Sequence, residues 1–346
     1  MKIKSVFSTV GLLSLCLSGI GQAAPAPGYH LIKRVPLAGD TGWDYLTCDA
    51  AARRIYISRG THVMVLNADD FKVVGDIPNT DGVHGIALAP ELNRGFISDG
   101  KADTVTIFDL RTLKTLGTAP TGNNPDGIAY DSATRRVFAC NGRSNNATVI
   151  NAATGKVDGT IALSGKPEFP AADGRGHVFI NIESTSEVDV IDSRKLTVDA
   201  RWPVAPGESP SGLAIDRIHH RLFVGCDGQK MIVLSSDNGS LKAAPAIDDG
   251  VDATAFDAAT GLAFSSNGSG TLTVVHEDSS ESFPVVQVVA TQKGARTMAL
   301  DTKTHQVTLI TAQFVPAPPP APGQKHLRPK LIPGSVVLLV YGLGGN

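Results

Sequence analysis

A repeat of about 40 residues constrains this chain more than any other feature. Between Trp43 and Gly342 a short apolar stretch ending at a turn recurs seven times. The copies read Tyr45-Leu-Thr-Cys-Asp49, Gly85-Ile-Ala-Leu-Ala89, Gly127-Ile-Ala-Tyr-Asp131, Phe169-Pro-Ala-Ala-Asp173, Gly212-Leu-Ala-Ile-Asp216, Ala253-Thr-Ala-Phe-Asp257 and Thr297-Met-Ala-Leu-Asp301. Their starts are 40, 42, 42, 43, 41 and 44 residues apart. Fixed periods of this length belong to propellers and solenoids, in which no unit buries its apolar face alone.

A second segment repeats behind the first: Arg54-Ile-Tyr-Ile, Arg94-Gly-Phe-Ile, Arg136-Val-Phe-Ala, His177-Val-Phe-Ile, Arg221-Leu-Phe-Val, Leu262-Ala-Phe-Ser and Gln306-Val-Thr-Leu. These read as strands, and the recurring aromatic reads as packing between sheets. The Asp that closes most first strands suits a turn, where its carboxylate accepts backbone N–H groups. Third strands follow, such as Thr104–Asp109, Glu187–Asp192 and Thr271–His276, and fourth strands begin near Lys72 and Lys156. Four strands per unit is the blade of a β-propeller. The seventh unit runs out of chain after its third strand, and Tyr29–Leu37 precedes the first unit as an orphan strand. The expectation is an all-β, seven-bladed propeller of four-stranded blades, closed by residues 29–37 in blade seven, with blade starts near 43, 84, 126, 168, 211, 252 and 296.

The units resemble the YVTN-type repeats of secreted bacterial seven-bladed propellers (YncE-like proteins). The resemblance rests on Pro125-Asp-Gly-Ile-Ala-Tyr-Asp131, Arg136-Val-Phe-Ala-Cys-Asn141 and Ala147-Thr-Val-Ile-Asn-Ala-Ala-Thr-Gly-Lys156, and it extends over the whole chain after the leader. It implies the architecture and an exported protein. It names no activity, since one fold hosts many functions.

Residues 1–23 read as a cleaved signal peptide, with Lys2 and Lys4 before a short apolar run from Val6 to Leu17 and small residues at Gly21 and Ala23. Residues 24–346 then form a single domain, periplasmic or secreted, with no transmembrane candidate and as a monomer. The formal charge of −2 falls to −4 without the two leader lysines. With no basic stripe, nucleic acid is not an expected partner. Cys48, Cys140 and Cys226 fall in blades one, three and five, too far apart to pair. They read as free, buried small residues.

The repeat also locates candidate site residues. The positions just before each first strand, where one mouth of the central channel should lie, are Asp44, His84, Asp126, Glu168, Ser211, Asp252 and Arg296, all polar. Trp43 is a candidate aromatic wall beside them. Carboxylates that converge repel one another unless a cation, a proton or a positive side chain intervenes. His84, Asp126 and Glu168, from consecutive blades, suit one divalent ion such as Zn; an oxygen-only set of Asp44, Asp126, Glu168 and Asp252 suits Ca, with Mg as a further candidate. The competing reading keeps these residues structural, with carboxylates capping their own loops and Arg296 paired to Asp44 and Asp252.

Loops between second and third strands should open on the same face and carry Arg59, Asp99, Asn141, Arg143, Asn181, Glu183, Asp227 and Asn267. Trp202, His62, His219, His220 and His305 stand in ordinary strand or turn contexts and are not expected to be ligands. The last of these loops, Gln313–Gly334, holds seven prolines with Lys325, His326, Arg328 and Lys330. It reads either as a basic strap over an acidic mouth or as a plain insertion.

Two functions follow as expectations. The first is a recognition scaffold that takes a small molecule or an envelope protein or peptide at the channel mouth. The second is a lactonase-like hydrolase or lyase with a divalent ion at that mouth, His84 or Glu168 acting as base. A quinone or haem enzyme is disfavoured by 5% aromatic content and the lack of Cys-x-x-Cys-His.

Overall fold

The computed structural model describes residues 28–39, 41–315 and 330–344. The expected signal segment, residues 1–23, and the loop prolines from Pro316 to Pro329 lie outside the described residues. The rest forms seven four-stranded antiparallel sheets. Blade one comprises Leu46–Asp49, Arg54–Ser58, His62–Asn67 and Val73–Pro78, and blades two to six repeat that order from Val83, Pro125, Pro167, Pro210 and Val251. Inner strands touch their neighbours in sequence order, and the first also touches the seventh, which closes the ring. In blade seven Thr297–Asp301 and Gln306–Thr311 are followed by Val337–Leu343, and Tyr29–Pro36 pairs antiparallel with that strand from Tyr29 opposite Leu343 to Pro36 opposite Val337. The chain's first strand therefore supplies its last edge, and a long unpaired edge is avoided.

The core sits in the seams. Each of seven apolar clusters joins the strands of two adjacent blades, including blade seven with blade one. Tyr56, Phe96, Phe138, Phe179, Phe223 and Phe264 of the second strands are at most 1% exposed. Burial of one such ring contributes roughly 2–3 kcal/mol. Some meet an aromatic of the next blade, as Tyr56 does Phe108 at 5.8 Å and Phe223 does Phe256 at 4.8 Å between ring centroids. Trp202 lies against Phe179 at 5.7 Å, a packing contact. Among the described residues Cys48, Cys140 and Cys226 are free, with Cys140 and Cys226 buried.

The turn aspartates act as the sequence suggests. Asp216 Oδ1 accepts the N–H of Ile218, Asp131 Oδ1 that of Ala133, and Asp301 Oδ1 that of Lys303. No helix among the described residues is long and apolar enough to cross a membrane.

Candidate functional site

In blades two to six, five of the seven polar positions are not before the inner strand but inside it. His84, Asp126, Glu168, Ser211 and Asp252 are each the second residue of their strand, and only Asp44 and Arg296 stand outside. Directly after each of these five the ladder slips, between Val83 and Ile86, Pro125 and Ile128, Pro167 and Pro170, Pro210 and Leu213, and Val251 and Ala253. An extra residue of this kind interrupts the strand's alternation and re-aims a side chain. The bulges need room. A Cβ on Gly127 would lie 2.4 Å from the Glu168 carbonyl oxygen, and one on Gly85 would lie 3.0 Å from that of Asp126.

Second-strand side chains hold the re-aimed backbone. Ser58 Oγ accepts the N–H groups of Asp44 and Tyr45 at 3.0 and 2.9 Å. Ser98 Oγ donates to the Asp126 carbonyl, Asn181 Nδ2 donates to that of Ser211 at 2.8 Å, and Ser266 Oγ donates to that of Arg296. Of the loop residues expected on this face, Asp99, Asn141 and Asn267 instead brace their own hairpins. Asp99 Oδ2 accepts from Thr106 Oγ1 at 2.6 Å, and the other two donate to Thr148 and Thr273. Arg59 is buried and donates to the Gly39 carbonyl, while Arg143 is exposed.

Around the mouth lies a cavity of ≈ 430 Å³ lined by Asp44, Tyr45, Asp126, Lys166, Glu168, Glu183, Ser209, Ser211, Asp227, Val251, Asp252 and Arg296. Six carboxylates thus face two cations. Burial, reinforced by Asp44, pushes Asp126 up to about 6 despite the opposing His84. Burial pushes Asp252 up to about 6 as well, against the pull of Arg296, whose Nε is 3.3 Å from its Oδ2. Glu168 is also raised, first by burial and then by Asp126 and Glu183. Burial works against the charged form of His84, but its bond to Asp44 and the surrounding carboxylates outweigh this and raise it.

The structure brings the candidate residues together in a different grouping from the one expected. His84 Nδ1 lies 2.5 Å from Asp44 Oδ2 and 3.7 Å from Asp126 Oδ1, and the ligand atoms of Asp44, His84 and Asp126 all fall within 4.8 Å of one another. Glu168 is drawn away from His84 by Lys166, whose Nζ sits 2.6 Å from its Oε1 and also contacts Glu183. Arg296 pairs with Asp252; no ion pair to Asp44 exists among the described residues. Trp43 is not in the cavity lining. It packs against the blade seven–one core with its ring 6.3 Å from Phe314, at the base of the Pro-rich loop. That base is a short pairing of Phe314–Val315 with Lys330–Leu331.

Tyr45 and Lys166 were not among the candidates. Tyr45 of blade one and Phe169 of blade four stack at 4.5 Å between centroids, closing the channel below the acidic mouth. The Tyr45 hydroxyl is buried without a hydrogen-bond partner among the described residues. Burial and then Asp126, Asp44, Glu168 and Asp252 hold its pKa well above the usual phenol range. Beyond the plug the inner strands turn apolar, with Ala87, Ala129, Ala171 and Ala214 around a second space of ≈ 260 Å³. A sequence signal for Lys166 existed, since a basic residue stands two positions before Glu168, just ahead of the strand that begins at Pro167. Tyr45 carried none.

Similarity to solved structures is confined to the fold. Kuenenia stuttgartiensis hydrazine synthase aligns with a TM-score of 0.69 at 14% identity over 79% of this chain and 94% of that one. U3-55K aligns at 0.72 and 13% identity, over 88% of this chain and 98% of that one. The WD40 repeats of RRP9 align at 0.72 and 12%, over 91% and 98% respectively. The chain is a seven-bladed propeller. No protein-family model matches the sequence, and no curated protein matches it.

Proposed function

We propose that this protein is an exported recognition scaffold of the YVTN-repeat kind whose channel mouth binds a cationic group, carried by a small molecule or a basic peptide of the cell envelope. The observation that carries the reading is the excess of six carboxylates over two cations around one cavity. Carboxylates whose pKa values are raised by burial and, after it, by their mutual repulsion gain from any cation that enters. The Tyr45 hydroxyl, buried and unpartnered at the cavity floor, offers an acceptor for an ammonium or a donor to a bound water. Rigid strands hold the groups, so little ordering cost opposes binding.

The test is calorimetric titration of the full chain with putrescine, with succinate as the anionic control, in wild type and in Asp126→Asn/Asp252→Asn. The diamine should bind, the dianion should not, and the double variant should lose at least about tenfold in affinity. Binding of the dianion, or diamine binding unchanged in the variant, overturns the reading.

A second reading is favoured by the Asp44, His84 and Asp126 grouping. One imidazole and two carboxylates suit a divalent ion with open positions, which as a Lewis acid would support a hydrolase or lyase. Glu168, with its raised pKa and its place in the same cavity lining, is then a group suited to accept a proton. Elemental analysis of the purified chain beside His84→Ala decides it: a stoichiometric ion lost in the variant supports this reading, and no ion in either sample removes it.

A further inference from the structure

The turns at the far face of the disc contain a departure from the repeat that sets two carboxylates together. In each of the first six blades the residue after the third strand hands its N–H to a carbonyl of the turn between strands one and two of its own blade. The six donors are Ala68, Leu110, Ala152, Ser193, Ser236 and Glu277, and their acceptors are Arg53, Asn93, Arg135, Gly176, His220 and Gly261. These positions are therefore equivalent. Five are small or neutral, and the sixth is a glutamate. In blades four and six the position looks onto the turn aspartate of the preceding blade. In blade four Ser193 Oγ donates to Asp131 Oδ2 at 2.6 Å. In blade six Glu277 faces Asp216 instead, and a carboxylate meets a carboxylate.

Both groups are removed from solvent, with side chains 1% exposed for Asp216 and 6% for Glu277. Glu277 Oε2 is buried and has no hydrogen-bond partner among the described residues. His219 completes the group. Its Nδ1 is 2.6 Å from Asp216 Oδ2 and 3.7 Å from Glu277 Oε1, and its ring is 64% exposed. One ligand atom from each of the three residues falls within 4.8 Å of the others. A space of ≈ 150 Å³ lined by His219, Arg221, Glu277 and Asp278 opens beside them.

The neighbouring charges do not complete the balance. Arg221 directs its Nη1 to the carbonyls of His219 and His220 at 2.7 and 3.1 Å. It makes no ion pair with Glu277 among the described residues. Asp278 is held by His276 Nδ1 at 2.5 Å. Two facing buried carboxylates need a shared proton or a cation, and an orphaned carboxylate oxygen next to an exposed imidazole points to the cation.

We infer that Asp216, His219 and Glu277 form a divalent metal site of the zinc class at the seam of blades five and six, on the face away from the acidic mouth. An imidazole with two carboxylates prefers zinc and its transition-metal neighbours over calcium or magnesium, and three protein ligands leave a coordination position for water or a partner's side chain. His219, expected from its sequence context to be an ordinary turn residue, becomes the ligand that admits the ion, since its exposed ring is the one able to turn. The inference does not depend on what the channel mouth binds.

The test is calorimetric titration of Zn²⁺ into the full chain carrying Asp44→Asn and His84→Ala, which silences the mouth grouping. One ion should bind. Adding Glu277→Ser or His219→Ala should weaken it at least about tenfold, and Glu277→Gln should do the same while keeping the side chain's shape. The serine variant is expected to fold, because Ser193 and Ser236 occupy the same place in blades four and five. No Zn²⁺ binding in the mouth-silenced chain, or undiminished binding in the Glu277 variants, overturns the inference and leaves a proton-sharing carboxyl pair in its place.

Discussion

Replacing Asp126 with Asn should stabilise the ligand-free protein at neutral pH and do nothing at pH 4. Asp126 is raised from 3.8 to about 6 by burial, with Asp44 adding to it. A carboxyl with a folded pKa above its unfolded one binds its proton more tightly in the native state. Its stability contribution is then greatest at low pH and is lost as pH rises from about 4 to about 6. At 1.36 kcal/mol per pKa unit the full loss is about 3 kcal/mol. The Asn side chain cannot ionise, so it avoids the loss, but it also gives up the attraction to His84 at 3.7 Å. A net gain of about 1–3 kcal/mol above pH 6.5 is expected, equivalent to roughly 2–4 °C in Tm.

The assay is reversible urea unfolding of both proteins at half-unit steps from pH 4 to 8, in chelator. The difference in unfolding free energy should be near zero at pH 4, grow between pH 4 and 6, and flatten beyond. A variant less stable than wild type at pH 7.5, or a difference that does not change with pH, would refute the claim that mutual carboxylate burial loads this mouth. The result also has a functional meaning: a stabilising change at a binding residue is the pattern expected where a site keeps unfavourable charge for a ligand.

Three further outcomes follow from the same geometry. Tyr45→Phe removes a buried hydroxyl with no partner but keeps the stack on Phe169, so urea unfolding should show stability unchanged or raised by about 1 kcal/mol, whereas a clear loss would mean the hydroxyl is satisfied by water. Gly127→Ala places a Cβ 2.4 Å from the Glu168 carbonyl and should lower stability by about 1–3 kcal/mol; an unchanged denaturation midpoint would show that the blade three–four approach is loose. Deleting residues 29–36 strips the edge from Val337–Leu343, so light scattering should report self-association of the exposed strand, and a monodisperse, cooperatively folding product would mean the closure strand is dispensable.

Seven blades, their strand order and the closing role of the N-terminal strand were all legible in the chain, for a physical reason. In a repeat architecture each unit meets only its neighbours, so the periodic pattern carries the contacts that make the fold. The aromatic in six of the second strands and the Asp at the turns are local signals whose meaning survives without coordinates. The polar ring was legible as a set of positions, because equivalent places in successive units must share a channel.

What tertiary structure decided is which members of that ring touch. Five bulges place His84, Asp126, Glu168, Ser211 and Asp252 inside the strands and aim them, and bulge geometry is a property of two paired strands, not of one sequence window. His84 settles on Asp44, about one repeat away in the chain, while Lys166 takes Glu168 for itself. Tyr45 becomes the channel floor only because blades one and four face each other across a seven-fold ring. The facing of Asp216 and Glu277, from two blades and 61 positions apart by number, is of the same kind: spacing names the positions that meet, but the balance of burial, charge and proton at their meeting exists only once the blades are packed.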